Sequence, residues 1–240
     1  MNTTWYFAEL LQEWRTAHTN MSRLQNNIII VEAVDAENAY TKSLAFGEQL
    51  NSDSYDTSSS KFRGLHALNE IYDEFIHGAE LIFEIREEIN DAEIERYITP
   101  KDKLAAFSKK QTALQQTSEQ KWFIAQLLQE FRAIDAETSL LWINWILIQA
   151  TDAEDAYTKS IAFGQEYNQD DGGTFTSDGI PVIVRFQGLR DLHEILEDLA
   201  DGSTLIHEEF GILDENKIRE KIRPKERLSV FQPRDAMPNE

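Results

Sequence analysis

The stretch Ala33-Val34-Asp35-Ala36-Glu37-Asn38-Ala39-Tyr40-Thr41-Lys42-Ser43-Leu44-Ala45-Phe46-Gly47 returns with few changes at residues 150–164. A match of this length within one chain marks an internal duplication, and it decides how every other segment is read. Working outward at the same spacing, Trp5–Arg15 recurs as Trp122–Arg132. Beyond the quoted stretch the spacing becomes larger. Phe62-Arg63-Gly64-Leu65 matches Phe186-Gln187-Gly188-Leu189, Gly78 matches Gly202, and Ile98–Leu104 matches Ile222–Leu228. The second copy therefore carries an insertion between Gly164 and Phe186. The copies are assigned to residues 1–107 and 121–231, with a polar Lys, Gln, Ser and Thr linker at 108–120 and a proline-containing tail at 232–240.

Within the quoted stretch, Asp35 stands where an N-cap belongs, and Ala36, Ala39, Tyr40, Ser43 and Leu44 share one helical face. Gly47, like Gly164, is expected to close the helix with positive φ, and Gly78 and Gly202 to end a second helix in the same way. Residues 5–15 and 25–34, like 122–132 and 140–150, are rich in aromatic and β-branched side chains and read as a strand pair opening each copy. A strand at 61–63 or 182–187 comes next. It leads into a short helix carrying Leu68, Ile71 and Phe75, or Leu192, Ile195 and Leu199. A last strand, 80–86 or 204–210, completes the copy's own sheet. A charged terminal segment follows, in which Thr99, Pro100 and Asp102 read as N-cap, N1 and N3 of a turn. The order β-β-α-β-α-β makes each copy an α+β domain, a mainly antiparallel sheet with helices packed on one face.

Composition sets the outer bounds. The chain has 240 residues, 41% of them hydrophobic and 10% aromatic, enough for one large or two small cores. It has no cysteine, which excludes disulfides and thiolate chemistry. Forty-three acids against 23 bases give a net charge of -20, shared by both halves, which disfavours binding through nucleic-acid phosphates. No apolar run approaches the ~20 residues of a membrane span. The first residues offer neither a basic n-region nor an apolar h-region, and the protein is read as cytoplasmic.

The opening Trp-Tyr-x-Ala, the Ala-x-x-Ala-Glu-x-Ala-Tyr-x-Lys helix ending in Phe-Gly, the Arg-Phe-x-Gly-Leu strand end and the Asp-Gly-x-x-Leu-Ile turn together resemble the DUF4288 family of bacterial domains. The second copy carries the fuller pattern, and in the first His77 stands where the Asp before the glycine is expected. The resemblance covers nearly all of both copies and implies a tandem duplication of that domain. It implies no activity, because its motifs are structural punctuation and hydrophobic spacing.

No catalytic constellation emerges. His18, His66, His77, His193 and His207 lack metal-ligand spacing, and none recurs in the other copy. Asp170-Asp171-Gly172-Gly173 lacks the alternating ligands of a calcium loop and reads as an acidic hairpin turn. Glu13 with Arg15, and Glu130 with Arg132, lie two apart on one strand face and read as cross-strand ion pairing on the solvent side. No metal, cofactor or catalytic residue is assigned.

Aromatic usage is more informative. Trp5 and Trp122 are equivalent and read as core. Trp142 and Trp145 align with Gln25 and Ile28 and, three apart on a strand, point to opposite faces, so at most one belongs to the helix-covered core. The other is either a peripheral core residue or an interface anchor, between the two repeats or toward a partner. With Asp170, Asp171 and Asp178 of the insertion, Trp142 forms the expected protein-binding set, placed on the second copy. The leading functional expectation is a non-enzymatic, acidic binding protein recognising a basic protein, as a bacterial immunity or inhibitor protein does. A structural or regulatory module with a small-ligand or self-association site is the alternative, and an enzyme using dispersed carboxylates ranks last. No membrane partner is expected, and the oligomeric state is left open.

Overall fold

The computed structural model describes residues 3–16, 21–52, 58–108, 120–166, 174–177 and 180–232. The opening strand pair is β1 (Thr4–Thr16) with β2 (Ser22–Ala33), and its counterpart is β5 (Lys121–Ala133) with β6 (Ser139–Ala150). Both pairs are antiparallel and in continuous register, from Thr4 opposite Ala33 and from Lys121 opposite Ala150. Each is followed by the long helix of its repeat, α1 (Ala36–Gln49) or α4 (Ala153–Glu166). Asp35 caps α1 by accepting from the Asn38 amide at 2.7 Å, and Asp152 caps α4 by accepting from the Asp155 amide at 2.9 Å. Such a cap contributes about 1 kcal/mol.

The small residues of these helices set their distance from the sheet. Ala39, Ser43 and Gly47 are buried in α1, and Ala156, Ser160 and Gly164 in α4. The two serines bond back to the carbonyls of Ala39 and Ala156, which leaves no hydroxyl unsatisfied against the core. A Cβ on Gly47 would stand 2.5 Å from the Phe62 ring, and one on Gly164 would stand 2.3 Å from that of Phe186. These glycines lie inside helices that run on to Gln49 and Glu166, without positive φ. Close packing, and not helix termination, explains them. Gly78 and Gly202 do have positive φ, +89° and +85°. They stand just before strands rather than at helix ends, since no second helix is present here.

Residues expected to form that helix continue the third strand instead: β3 runs Ser58–Ile71 and β8 runs Ile180–Glu194. The reason lies in two irregularities of register. Leu10 faces Leu65 while Glu9 faces Ala67, and Gln12 faces Phe62 while Leu11 faces Gly64, so His66 and Arg63 are extra residues. β8 skips Arg190 and Gln187 at the same places. Each bulge adds one residue to the twofold alternation, so Phe62, Leu65 and Leu68 reach the same face at a spacing of three. That spacing imitates a helix.

The larger difference concerns which strands share a sheet. One sheet has the order β3-β1-β2-β9, where β9 (Thr204–Leu213) comes from the second repeat. The other has the order β4-β6-β5-β8-β7, where β4 (Glu80–Ile89) comes from the first repeat and β7 (Thr174–Ser177) from the insertion. The two compact units are accordingly residues 1–72 with 197–240, and residues 73–196. The expectation that the last strand completes its own copy's sheet is thus corrected. Each unit is an antiparallel sheet with its long helix on one face, assembled from the front of one repeat and the back of the other.

The exchanged segments carry more than a strand. In the first unit, β9 is followed by α5 (Glu215–Lys221), whose Ile218 packs with Leu11 and Leu24, and then by a turn that places Leu228 and Phe231 in the α1 core. In the second, β4 is followed by α2 (Asp91–Tyr97) and α3 (Ala105–Ser108), with Leu104 and Phe107 in the α4 core. The expected turn at Pro100 is a single 3-10 turn, Lys101–Lys103, without a side-chain cap. Among the described residues no helix is long and apolar enough to cross a membrane.

Candidate functional site: a sheet face beyond the long helix

On the helix-bearing face of the second unit, α4 covers the half of the sheet that holds Phe123, Ala125, Leu127, Ile146 and Ile148. Strand alternation carries the same face on to Gln129 and Phe131 of β5 and to Asn144, Trp142 and Leu140 of β6. β4 adds Phe83 opposite Asn144 and Ile85 opposite Trp142, and β8 adds Val184 opposite Phe131. The Trp142 ring stacks on Phe83 at 5.2 Å and 14°, and lies 4.7 Å from Phe131. Phe83 is 43% exposed and Leu140 40%. The result is one apolar area of six side chains, Phe83, Ile85, Phe131, Leu140, Trp142 and Val184, open to solvent at its outer rings.

Polar atoms lie within this patch without partners. The Trp142 Nε1 and Asn144 Oδ1 are both buried and unbonded, while the Asn144 amide reaches Gln129 at 3.4 Å. An unmade hydrogen bond at a buried atom costs about 1–3 kcal/mol. At the end of the sheet beyond Phe131 and Leu140 stand the exposed acids Asp135 and Glu137, and Glu87 and Glu88 on β4.

The corresponding face of the first unit is different. The same six positions hold His207, Glu209, Trp14, Arg23, Gln25 and Ser60. Gln25 donates to Asn27 at 3.0 Å, Asn27 donates to Gln12 at 3.1 Å, and His207 Nδ1 meets the Asn27 oxygen at 2.6 Å. Gln12 closes the cluster on the Leu50 carbonyl at 2.8 Å.

Of the residues singled out from sequence, Trp142 sits at the centre of the apolar patch. Asp170, Asp171 and Asp178 lie outside the described residues, as does His18. The flanking hairpin is present, with β7 paired to β8 from Thr174 opposite Ile183 to Ser177 opposite Ile180. Trp145 points to the opposite face, is fully buried, and donates to Glu84 at 3.2 Å. Trp5 and Trp122 are half-buried rather than central. Phe83 and Ile85 were missed, for they belong to the first repeat and reach Trp142 only through the exchange. The apolar patch around Trp142 is therefore built from both repeats.

The paired charges also differ from expectation. Glu13 and Glu130 are buried, not on a solvent face. Glu13 accepts from Arg15 at 2.6 Å, Ser22 at 2.6 Å and Arg63 at 2.5 Å, and Arg63 also forks onto Glu215 at 2.7 and 3.0 Å. Burial pushes the Glu13 carboxyl up, but the hydrogen bonds from Arg15, Ser22 and Arg63 prevail and hold it below its ordinary value. Arg63 and Arg219 together draw Glu215 down to about 2. In the second unit Glu130 accepts from Ser139 at 2.7 Å and from Gln187 at 2.5 Å, while Arg132 pairs with Glu130 and with Asp91. Both carboxylate oxygens of Glu13, Glu130 and Glu215 face structural partners, so their geometry is that of a staple under the exchanged helix.

Residues 5–83 and 122–207 match the model of a domain of unknown function, DUF4288. The chain belongs to the DUF4288 family. Each match runs through the crossing and ends inside the exchanged strand, at Phe83 and at His207, so the two DUF4288 copies are repeats of sequence and not the compact units of the fold. No curated protein and no solved structure matches the chain. Among the described residues, no group of three or more His, Asp or Glu side chains is arranged to hold a metal ion.

Proposed function

We propose that this DUF4288 protein is a non-catalytic, cytoplasmic binding protein, and that the Phe83–Trp142 patch is where it holds a basic protein partner. The observation that carries the reading is the contrast between equivalent positions: six apolar side chains in one unit against five polar ones and Trp14 in the other. A shared fold needs only one of these faces for stability, so the apolar version answers to something else. Two stacked aromatic rings with a half-exposed edge supply the desolvated anchor typical of a binding hot spot. Glu87, Glu88, Asp135 and Glu137 at the patch border, in a chain of net charge -20, favour a cationic partner and speed its approach. An inhibitor or immunity protein that covers the basic cleft of a toxin or nuclease has this division between apolar anchor and acidic rim.

The test compares native-lysate capture by the wild type with capture by Phe83→Ser/Leu140→Gln, followed by affinity measurement on each purified candidate at low and high salt. A basic protein that binds the wild type, weakens with salt and is lost by the double variant supports the proposal. Equal binding by both forms overturns it. Sedimentation of the purified protein covers the alternative, since concentration-dependent self-association abolished by the same substitutions would assign the patch to a second copy instead.

A further inference from the structure

The exchange of β4–α3 and of β9 through Phe231 leaves three contact points along each exchanged segment, and at all three the repeats have diverged. We infer that the two halves of the chain are selective partners for one another, so that the protein is a covalently joined heterodimer whose halves disfavour pairing with their own kind.

The first point lies at the entry to the exchanged strand. In the first unit Asp201 accepts from the Glu32 amide at 2.9 Å and from Lys42 at 2.5 Å. In the second unit the equivalent residue is His77, whose Nδ1 accepts from the Gln149 amide at 3.1 Å, and the equivalent lysine, Lys159, turns to Asp155 at 2.8 Å. Asp155 corresponds to Asn38. Two copies of the second repeat would bring Asp201 toward Lys159 with Asp155 already on it, adding a second carboxylate to one ammonium. Two copies of the first would set His77 beside Lys42, with neither Asp201 nor a counterpart of Asp155 to pair it. Only the cross-pairing gives each lysine one carboxylate.

The second point is mid-strand. His207 bonds to Asn27 in the first unit, while Phe83 stacks on Trp142 in the second. Self-pairing of the second repeat would place His207 opposite Asn144, whose unbonded Oδ1 could take its hydrogen bond, but would lose the Phe83 stack on Trp142. The third point is the start of the exchanged helix. Arg63 grips Glu215, whereas Gln187, at the position of Arg63, stands in the unit where Asp91 takes its cation from Arg132. Self-pairing of the second repeat would leave Glu215 with Arg132, as Asp91 has now, but without the fork of Arg63. Unpaired or like charges at such contacts are the usual means by which one partner is rejected in favour of another. The connecting segment 109–119 joins α3 to β5, two elements of the same unit, so the covalent link does not have to produce the exchange.

The experiment places a specific protease site within residues 111–116 of the full chain and cuts the folded protein. The fragments should stay together on native size exclusion; their separation would overturn the exchange. After unfolding in urea and dilution, native mass spectrometry reads the species formed. At least a tenfold excess of the one-to-one heterodimer over either homodimer is expected, and aggregation of a fragment refolded alone but not with its partner expresses the same preference. A statistical mixture of dimers, or two folded monomers, would overturn the inference. Asp201→His gives the second fragment the residue that accompanies Lys159 in the native protein, and should raise the homodimer share of that fragment; an unchanged share rejects the role of Asp201.

Discussion

At six equivalent positions the first unit carries five polar side chains and Trp14 and the second a stacked aromatic patch, while α1 and α4 above them keep the same caps, the same buried serines and the same close glycines. After duplication, then, the packing of helix on sheet was kept and the sheet face beyond the helix was free to change. Under the exchanged helix the units differ in a second way. The first holds its buried glutamate with two arginines, one of which, Arg63, also grips α5; the second uses Arg132, which also reaches Asp91 of α2, and the carboxamide of Gln187. Both units are stapled by charge, the first more heavily, and only the second presents an apolar surface.

The charge staple offers the largest effect. Arg63→Ala removes one of the three hydrogen-bond partners of the fully buried Glu13, and is expected to destabilise the first unit by about 3 kcal/mol. Arg63→Gln should recover roughly 1 kcal/mol of that loss, because Gln187 shows that a carboxamide at this bulge reaches the glutamate. Urea unfolding of the three proteins measures both. Equal stability of Arg63→Ala and wild type would remove the distinction between the units.

Next in size are Gly47→Ala and Gly164→Ala. Each drives a methyl group into a phenylalanine ring and should cost about 1–3 kcal/mol through overpacking. The two losses should be alike, since the helix–sheet contact is the shared part of the fold. Thermal unfolding decides; a stabilised variant would show that the helix–sheet contact has room for a methyl group at these positions, and that close packing does not require glycine there.

Acid sensitivity sharpens the same contrast. The folded-state pKa of Glu215 is drawn to about 2 from an ordinary value of 4.5 by Arg63 and Arg219, and that of Glu13 is also lowered. Between those values the unfolded chain binds more protons, so this stabilisation is complete above the ordinary value and disappears as pH falls through about 2. Urea midpoints from about pH 5 to about pH 2.5 should decline in the wild type and less steeply in Arg63→Gln. Parallel slopes would show that the staple does not govern acid unfolding.

Much of the scaffold was legible because it rests on local rules. The opening strand pairs, the capped helix and the duplication follow from alternation, an Asp before an Ala-rich face, and self-similarity. The third strand was misread because two bulges convert a period of two into a period of three, so Phe62, Leu65 and Leu68 look helical. The exchange left no trace in the pattern of any one strand: β4 would alternate in the same way on β2 or on β6, since alternation records burial and not the identity of the neighbour. Its signature is in differences between the copies. His77 against Asp201 and Phe83 against His207 make sense only when each is set beside the other repeat. Trp142 was found for the same reason, as an aromatic residue without a counterpart, whereas Phe83 and Ile85 needed the topology.

The smallest effect on stability is expected where the effect on binding is greatest. Phe83→His with Leu140→Arg gives the second unit the residues that the first carries at those positions, His207 and Arg23. Both side chains are more than a third exposed, so the fold loses little buried area and the change in stability should stay within about 1 kcal/mol. The Trp142 ring keeps Phe131 but loses its stacked neighbour, and the guanidinium introduced in place of Leu140 sets a positive charge at the acidic border that includes Glu137. Affinity for a basic partner should then fall at least tenfold, about 1.4 kcal/mol, with the salt dependence reduced as well. The reciprocal change, His207→Phe with Arg23→Leu, tests whether an apolar face is sufficient. It should not create a second binding site, because Gln25 cannot stack and Glu209 keeps the patch broken. Calorimetry separates the outcomes: one site in the wild type, one weakened at least tenfold in the first variant and one of wild-type affinity in the second. Two sites in the second would show that apolar area alone, without the Trp142 stack, directs recognition.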